Sequence, residues 1–199
     1  MRELTKTAIE NFRKKGFFCE FFEDKDEALK YILGEIGASD VGIGGSLTVS
    51  ELGWFEALKK RGKTIWHWLE KYDGILEEEN AAPCYITSAN AISSDGAIIN
   101  IDANGNRIAA AGFGAKKVFI VCGENKIEPD IPAALFRAKN IAAPLNAKRL
   151  GKKTPCAIKA DKCYNCNSPE RICRITSITT FPITRMQTHI IFIKGSWGY

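Results

Sequence analysis

Apolar positions along the chain switch between a helical and an alternating period, and the switches mark its elements. Within residues 2–15, Leu4, Ala8, Ile9 and Phe12 recur at helical spacing, and Gly16 follows where glycine commonly ends a helix. The aromatic-rich run Phe17 to Glu23 predicts a strand. Asp24, with Glu27 three residues on, reads as the N-cap of a helix that carries Leu29, Ile32, Leu33 and Ile36 and stops near Gly37. Residues 40–44 predict a strand running into a glycine turn. Thr48-Val49-Ser50-Glu51 has the form of a capping box, opening one helix through Leu52, Phe55 and Leu58 to Gly62. Thr64 to Trp68 predicts a strand, and residues 69–82 a loosely patterned helix or loop. Further strands are predicted at Tyr85-Ile86, Ala97 to Ile101 and Lys117 to Cys122. The last is a continuous apolar run of the kind buried on both faces of a parallel sheet. A helix is predicted over 130–143, the pattern breaks after Pro144, and His189 to Ile193 forms another buried-type strand. Strands alternating with helices imply an α/β fold around a largely parallel sheet.

Length and composition add bounds. A chain of 199 residues, 45% hydrophobic and 26% charged, has the make-up of one globular domain and excludes a disordered chain. No apolar run approaches the roughly 18–20 residues of a membrane span. The N-terminal MRELTKTAIENFRKK is charged and lacks an apolar core, so it does not read as a secretory signal and a cytoplasmic protein is expected. Seven cysteines in such a chain read as thiols or metal ligands, not as a disulfide framework. The net charge of +5 is concentrated near the C-terminus, where residues 151–199 hold eight Lys/Arg against two acids. That excess suits an anionic ligand or an acidic partner, or is a solvated basic face.

Three stretches carry candidate chemistry. In GIGGSLTVSELG (42–53) a strand enters a glycine turn that opens a helix. Gly44 and Gly45 permit close backbone approach, and Ser46 and Thr48 add hydroxyls, so the turn is a candidate anion cradle. It is neither a dinucleotide fingerprint, since Leu47 stands at the third glycine position, nor a nucleotide-triphosphate loop, since no Lys-Ser/Thr follows. A plain glycine turn with an N-cap remains the competing reading. The second stretch, TSANAISSDGAIINIDANGNR (87–107), packs four Asn, two Asp, three Ser and one Arg around a short apolar run. Asp95-Gly96 and Asn104-Gly105 are turn signals. Ser88, Asn90, Asn100, Asp102, Asn106 and Arg107 are left as either a buried polar network or one wall of a polar site. Asn100 and Asp102 fall on one strand face, and Arg107 suits a carboxylate or phosphate.

The third stretch is Cys156-x6-Cys163-x2-Cys166-x6-Cys173. The central spacing suits two ligands on one metal and the flanking cysteines complete a four-thiolate set. The pattern differs from the bacterial ferredoxin run, which favours zinc over an iron–sulfur cluster; free thiols are the alternative. Cys19, Cys84 and Cys122 fall in strands as small buried hydrophobes. His67, between Trp66 and Trp68, and His189, opening the last strand, read as satisfied structural histidines, and no hydrolase triad is assigned. Lys126 stands at a strand end, where it could meet an anion or act in catalysis.

GGSLTVSELG (44–53), the 87–107 block, VFIVCGENKI (118–127), AAPLNAKRL (142–150), TPC with CYNCNSPERIC (154–173) and the closing His189 strand together resemble the LUD family, named for lactate utilisation. Within that family the resemblance is to the lactate-utilisation C proteins. It implies a three-layer, Rossmann-like sheet of the NagB/RpiA/CoA-transferase type, with ligand sites at strand ends, where turns such as Gly44-Gly45-Ser46 hold phosphates or CoA. The Asp95–Arg107 segment is similar in style to a block of methylthioribose-phosphate isomerases and related initiation-factor subunits. A role beside two iron–sulfur subunits in lactate oxidation is implied, though no particular reaction.

Two functional expectations follow. In the first, a small-molecule anion (carboxylate, sugar phosphate or CoA ester) sits between Gly44, Gly45, Ser46 and Thr48 on one side and Asn90, Asn100, Asn106 and Arg107 on the other. Asp95, Asp102 or Lys126 would then serve catalysis. In the second, the basic Cys-rich segment 151–182 binds metal through Cys156, Cys163, Cys166 and Cys173 and docks on iron–sulfur subunits. Nucleic acid is disfavoured, because the basic residues lack an interleaved aromatic platform beyond Tyr164.

Overall fold

The computed structural model describes residues 1–199. In chain order the elements are α1 (Glu3–Lys14), β1 (Phe18–Phe22), α2 (Lys25–Ile36), β2 (Val41–Ile43), α3 (Leu47–Leu52), α4 (Phe55–Lys59), β3 (Thr64–Ile65), α5 (Ile75–Ala81) and β4 (Cys84–Thr87). They continue with β5 (Ala91–Ser93), β6 (Ala97–Asp102), α6 (Asn106–Gly112), β7 (Lys117–Gly123), β8 (Ile127–Glu128), α7 (Ile131–Arg137), α8 (Ala143–Arg149), α9 (Pro155–Lys159), β9 (Ile175–Thr179) and β10 (Gln187–Ile193). The central sheet has six parallel strands in the order β1-β10-β7-β4-β2-β3. It is the largely parallel α/β sheet expected from the alternating elements.

Alternation along the central strands divides the core between the two faces. Val118, Ile120, Cys122, Ile190 and Phe192 pack with Ala8, Ile9 and Phe12 of α1. Phe119, Val121, Ile191 and Ile193 pack with Ala28, Ile32 and Ile36 of α2 and with Val49 and Leu52 of α3. Strands buried on both faces need apolar residues at every position, and β7 and β10 have them through their central stretches.

A second sheet of four strands, β8-β5-β6-β9, is mostly antiparallel. It corrects the expectation that Ala97–Ile101 joins the parallel sheet. One face presents Ile92 and Ile98 to the α1 core, and the other presents Ala91, Ala97, Ile99 and Ile101 to Ala134 and Ala138 of the α7 region. Its edge strand β9 comes from within the Cys-rich stretch, where the pattern predicts no strand. No helix is long and apolar enough to cross a membrane.

Three further boundaries differ from the pattern. The helix expected over 48–62 breaks into α3 and α4 at Gly53, which adopts a left-handed conformation (φ 73°). The capping box shifts: Ser46, not Thr48, caps α3 by accepting from Val49 N at 3.2 Å. Glu51 instead accepts from Gly198 N at 2.6 Å. Pro144 does not end the helical run. Residues Ala138–Ala142 widen into a π turn, and the proline follows in the first turn of α8.

Candidate functional site

The C-terminal ends of β2, β4 and β7 open onto one crevice. There β2 leads to Gly44-Gly45-Ser46, β4 leads to Ser88, and β7 leads through residues 124–126 to Lys126. Crevices at this end of a parallel sheet are where such folds hold ligands. The two glycines are dictated by space. A Cβ on Gly44 would lie 2.5 Å from Tyr85 Oη and 3.1 Å from Arg107 Cγ. A Cβ on Gly45 would lie 3.0 Å from Trp68 Nε1 and 3.3 Å from His67 Nε2.

Two adjoining hollows fill the crevice. The inner, of about 40 Å³, is lined by Gly45, Ser46, Thr48, Ser88, Asn90 and Lys126, among others. The outer, of about 160 Å³, is lined by His67, Asp102, Asn106, Leu150 and Ile172, among others. Gly45, Trp68, Arg107, Asn146 and Arg149 border both.

Lys126 is almost wholly buried, and its Nζ donates to Thr48 Oγ1 (2.7 Å), Ser88 Oγ (3.0 Å) and Ala89 O (3.1 Å). All three partners are uncharged. Burial lowers its pKa to about 8, with the Arg137 and Arg107 guanidinia pushing the same way and Cys122 and Glu51 opposing. Arg107 donates to Ile101 O at 2.5 Å and stands 3.7 Å from Asp102 Oδ1. Arg149 stacks on Trp68, 4.6 Å from the ring centre, and donates to Asn146 Oδ1 at 2.8 and 3.0 Å. The crevice therefore gathers three cations, of which only Arg107 faces a carboxylate.

The remaining expected site residues divide. Asn90 lines the inner hollow while its Oδ1 accepts from Ile101 N (2.8 Å). Asn106 lines the outer one. Asn100 is buried in β6 with Oδ1 unpartnered and borders neither hollow. Asp102 does not stand free for acid–base work. Its Oδ2 accepts from Arg107 N (3.0 Å) and Ile108 N (3.3 Å) and its Oδ1 from Ala103 N (2.8 Å), so it ties down the start of α6. Asp95 is exposed in the β5–β6 turn beside α1, apart from the crevice.

The four cysteines of 156–173 are not brought together as a ligand set. No group of three or more His, Cys, Asp or Glu side chains converges to hold a metal. The Arg171 guanidinium donates to Cys173 Sγ (3.3 Å) and Cys166 O (3.0 Å), Cys163 Sγ accepts from Asn165 N (3.3 Å), and Cys156 Sγ pairs with Thr154 Oγ1 (3.3 Å). Neither zinc nor an iron–sulfur cluster has a formed four-thiolate seat.

Sequence reasoning missed the outer wall of the crevice. His67 Nδ1 lies 2.6 Å from Glu79 Oε2, which also accepts from His67 N at 3.2 Å. Glu79 is fully buried on α5, and Tyr85 Oη donates to its other oxygen at 3.2 Å. Residues 66–68 leave the sheet after Ile65 instead of extending β3, and so turn His67 and Trp68 toward Gly45. The partner, twelve residues further on, carries no spacing signal of its own.

The LUD-domain model matches residues 5–193. The chain belongs to the LUD-domain family. A LUD-domain chain is thereby connected with lactate utilisation in general. No curated protein matches it. Among solved structures it is similar to a DUF162 family protein from Deinococcus radiodurans, at 12% identity and a TM-score of 0.52 over 97% of both chains, which shows the shared fold. It also matches eIF2B beta from Chaetomium thermophilum at 13% identity and a TM-score of 0.32, over 64% of this chain and 44% of that one.

Proposed function

We propose that this LUD-domain protein binds a small organic anion in the crevice, in the service of lactate or related organic-acid metabolism. The observation that carries this reading is Lys126. A buried ammonium with no carboxylate in contact is costly, and an anion in the inner hollow supplies that charge. Arg107 and Arg149 reinforce the field, and the Ser46 and Ser88 hydroxyls line the same hollow. A volume of about 40 Å³ has room for a small anionic head group; a single water needs roughly 10–15 Å³ on the same measure. The remainder of a short acid would lie in the outer hollow, which favours a carboxylate over the larger sugar phosphates and CoA esters. The alternative function, a metal-holding protein docked on iron–sulfur subunits through residues 151–182, is left without a formed donor set.

The test is thermal stabilisation by a series of short carboxylates, with inorganic phosphate alongside. Wild type should gain stability with carboxylate, and Arg149→Ala and Lys126→Met should lose that gain. The gain should also shrink as pH rises through about 8, because Lys126 then sheds its charge. Equal shifts in all three proteins would remove the proposal.

A further inference from the structure

Glu79 and His67 form a pair that the anion reading does not use. A carboxylate fixing one ring nitrogen of a histidine leaves the other free to take or give a proton, and orients it. Here Nδ1 lies 2.6 Å from Glu79 Oε2, a contact that takes the Nδ1–H tautomer and leaves Nε2 as the nitrogen turned to the hollow. Glu79 is itself fixed by Tyr85 Oη and His67 N, so the ring has one orientation. The His67 side chain is 23% exposed and that of Glu79 not at all. The open side of the ring is the outer hollow, and Nε2 lies against Gly45, where the lack of a side chain leaves it accessible. A structural histidine in the core would have both nitrogens enclosed.

We propose, resting on the anion-site reading, that His67 is a catalytic proton-transfer residue, that Glu79 positions it, and that the substrate class is a short 2-oxo carboxylate. The carboxylate occupies the inner hollow beside Lys126. The carbonyl oxygen falls at the shared border, where Arg107 and Arg149 stand, and the adjoining carbon reaches the outer hollow beside His67. In the step, the Nε2 lone pair takes a proton from the carbon next to the carbonyl. The C–H bond breaks, the N–H bond forms, and the electron pair moves through the new C=C bond onto the carbonyl oxygen. The guanidinia stabilise the resulting enolate, and the imidazolium returns the proton to complete the exchange. No oxidant or second substrate enters.

Exchange of the C3 protons of 2-oxobutanoate in D2O, followed by proton NMR, tests this, with thermal stabilisation by the same probe measured in parallel. Wild type should exchange the protons well above the protein-free rate. His67→Gln should lower the rate by about 10²–10⁴-fold, the usual weight of one general base, while keeping probe-induced stabilisation. Glu79→Gln should lower the rate less and move the pH at which exchange is half-maximal, a change that a packing role alone would not produce. Stabilisation by the probe without exchange in wild type, or undiminished exchange in His67→Gln, would overturn the proposal and leave the anion site standing. Absence of both stabilisation and exchange would overturn the proposal and the anion reading with it.

Discussion

Gly44 is a position in the crevice where a single methyl group would collide with its surroundings. An alanine Cβ there would meet Tyr85 Oη at 2.5 Å, on a ring already fixed by its bond to Glu79. Neither side can yield without moving Arg107 or the Glu79–His67 pair. Gly44→Ala should therefore destabilise by about 1–3 kcal/mol, the usual range for overpacking a core. For a chain of this length that is roughly 2–4 °C of Tm per kcal/mol. Calorimetry checks it, with Gly53→Ala as a comparison that strains φ without a collision. At this scale the sequence was partly legible. Gly44, Gly45, Ser46, Thr48, Asn90, Arg107 and Lys126 do meet, because glycine turns and polar strand ends advertise themselves locally. His67 and Arg149 were not legible, because each depends on a partner or a helix course that only the fold supplies.

The elements that were read most easily are those whose burial is complete. The central runs of β7 and β10 are apolar without interruption and could be little else. The second sheet escaped because its strands are short, and β6 pairs with β9 across more than 70 residues of chain. Asp102 shows the consequence: read as a polar face near a ligand, it is the residue that joins β6 to α6. Asp102→Ala should lose the three bonds its carboxylate accepts from backbone N–H groups and cost about 1–2 kcal/mol, as removal of a helix cap does. It should also loosen Arg107 and weaken anion binding. Denaturant unfolding and the carboxylate titration together separate the two effects. β10 carries a second element-scale expectation. His189 is buried beside Tyr31, Glu35 and Lys117, and burial lowers its pKa to about 4. The folded state keeps the ring neutral while the unfolded chain protonates below about 6.5, so stability falls as pH drops from about 6.5 to about 4. Glu35, held below the usual carboxylate range mainly by its bond to Lys117, adds to the loss on acidification. His189→Phe should flatten the slope of Tm against pH over that window and leave the loss at lower pH, where Glu35 takes up its proton.

Across the whole molecule, the two sheets divide the cysteines into two populations. Cys19, Cys84 and Cys122 lie in the parallel sheet, at most 3% exposed, and burial raises the thiol pKa of Cys19 and Cys84. Thiolate is the reactive form and a reagent must reach it, so these three should be inert while the protein is folded. Cys156, Cys163, Cys166 and Cys173 lie in the segment that feeds β9 onto the second sheet, and all four are partly exposed. Arg171 places its guanidinium 3.3 Å from Cys173 Sγ, and a cation so close assists attack by the sulfur. Arg171 is bonded to Cys166 O and Cys173 Sγ and the four side chains form no converged donor set, so each is expected to react as a thiol. Titration of the native protein with a thiol-specific disulfide reagent should thus give a fast phase of four equivalents. The remaining three should appear only as denaturant unfolds the sheet. Arg171→Ala should slow the fast phase at Cys173 and leave the buried three unchanged. A native protein that hides all seven thiols and releases zinc when the reagent finally reacts would show instead that the segment closes around a metal.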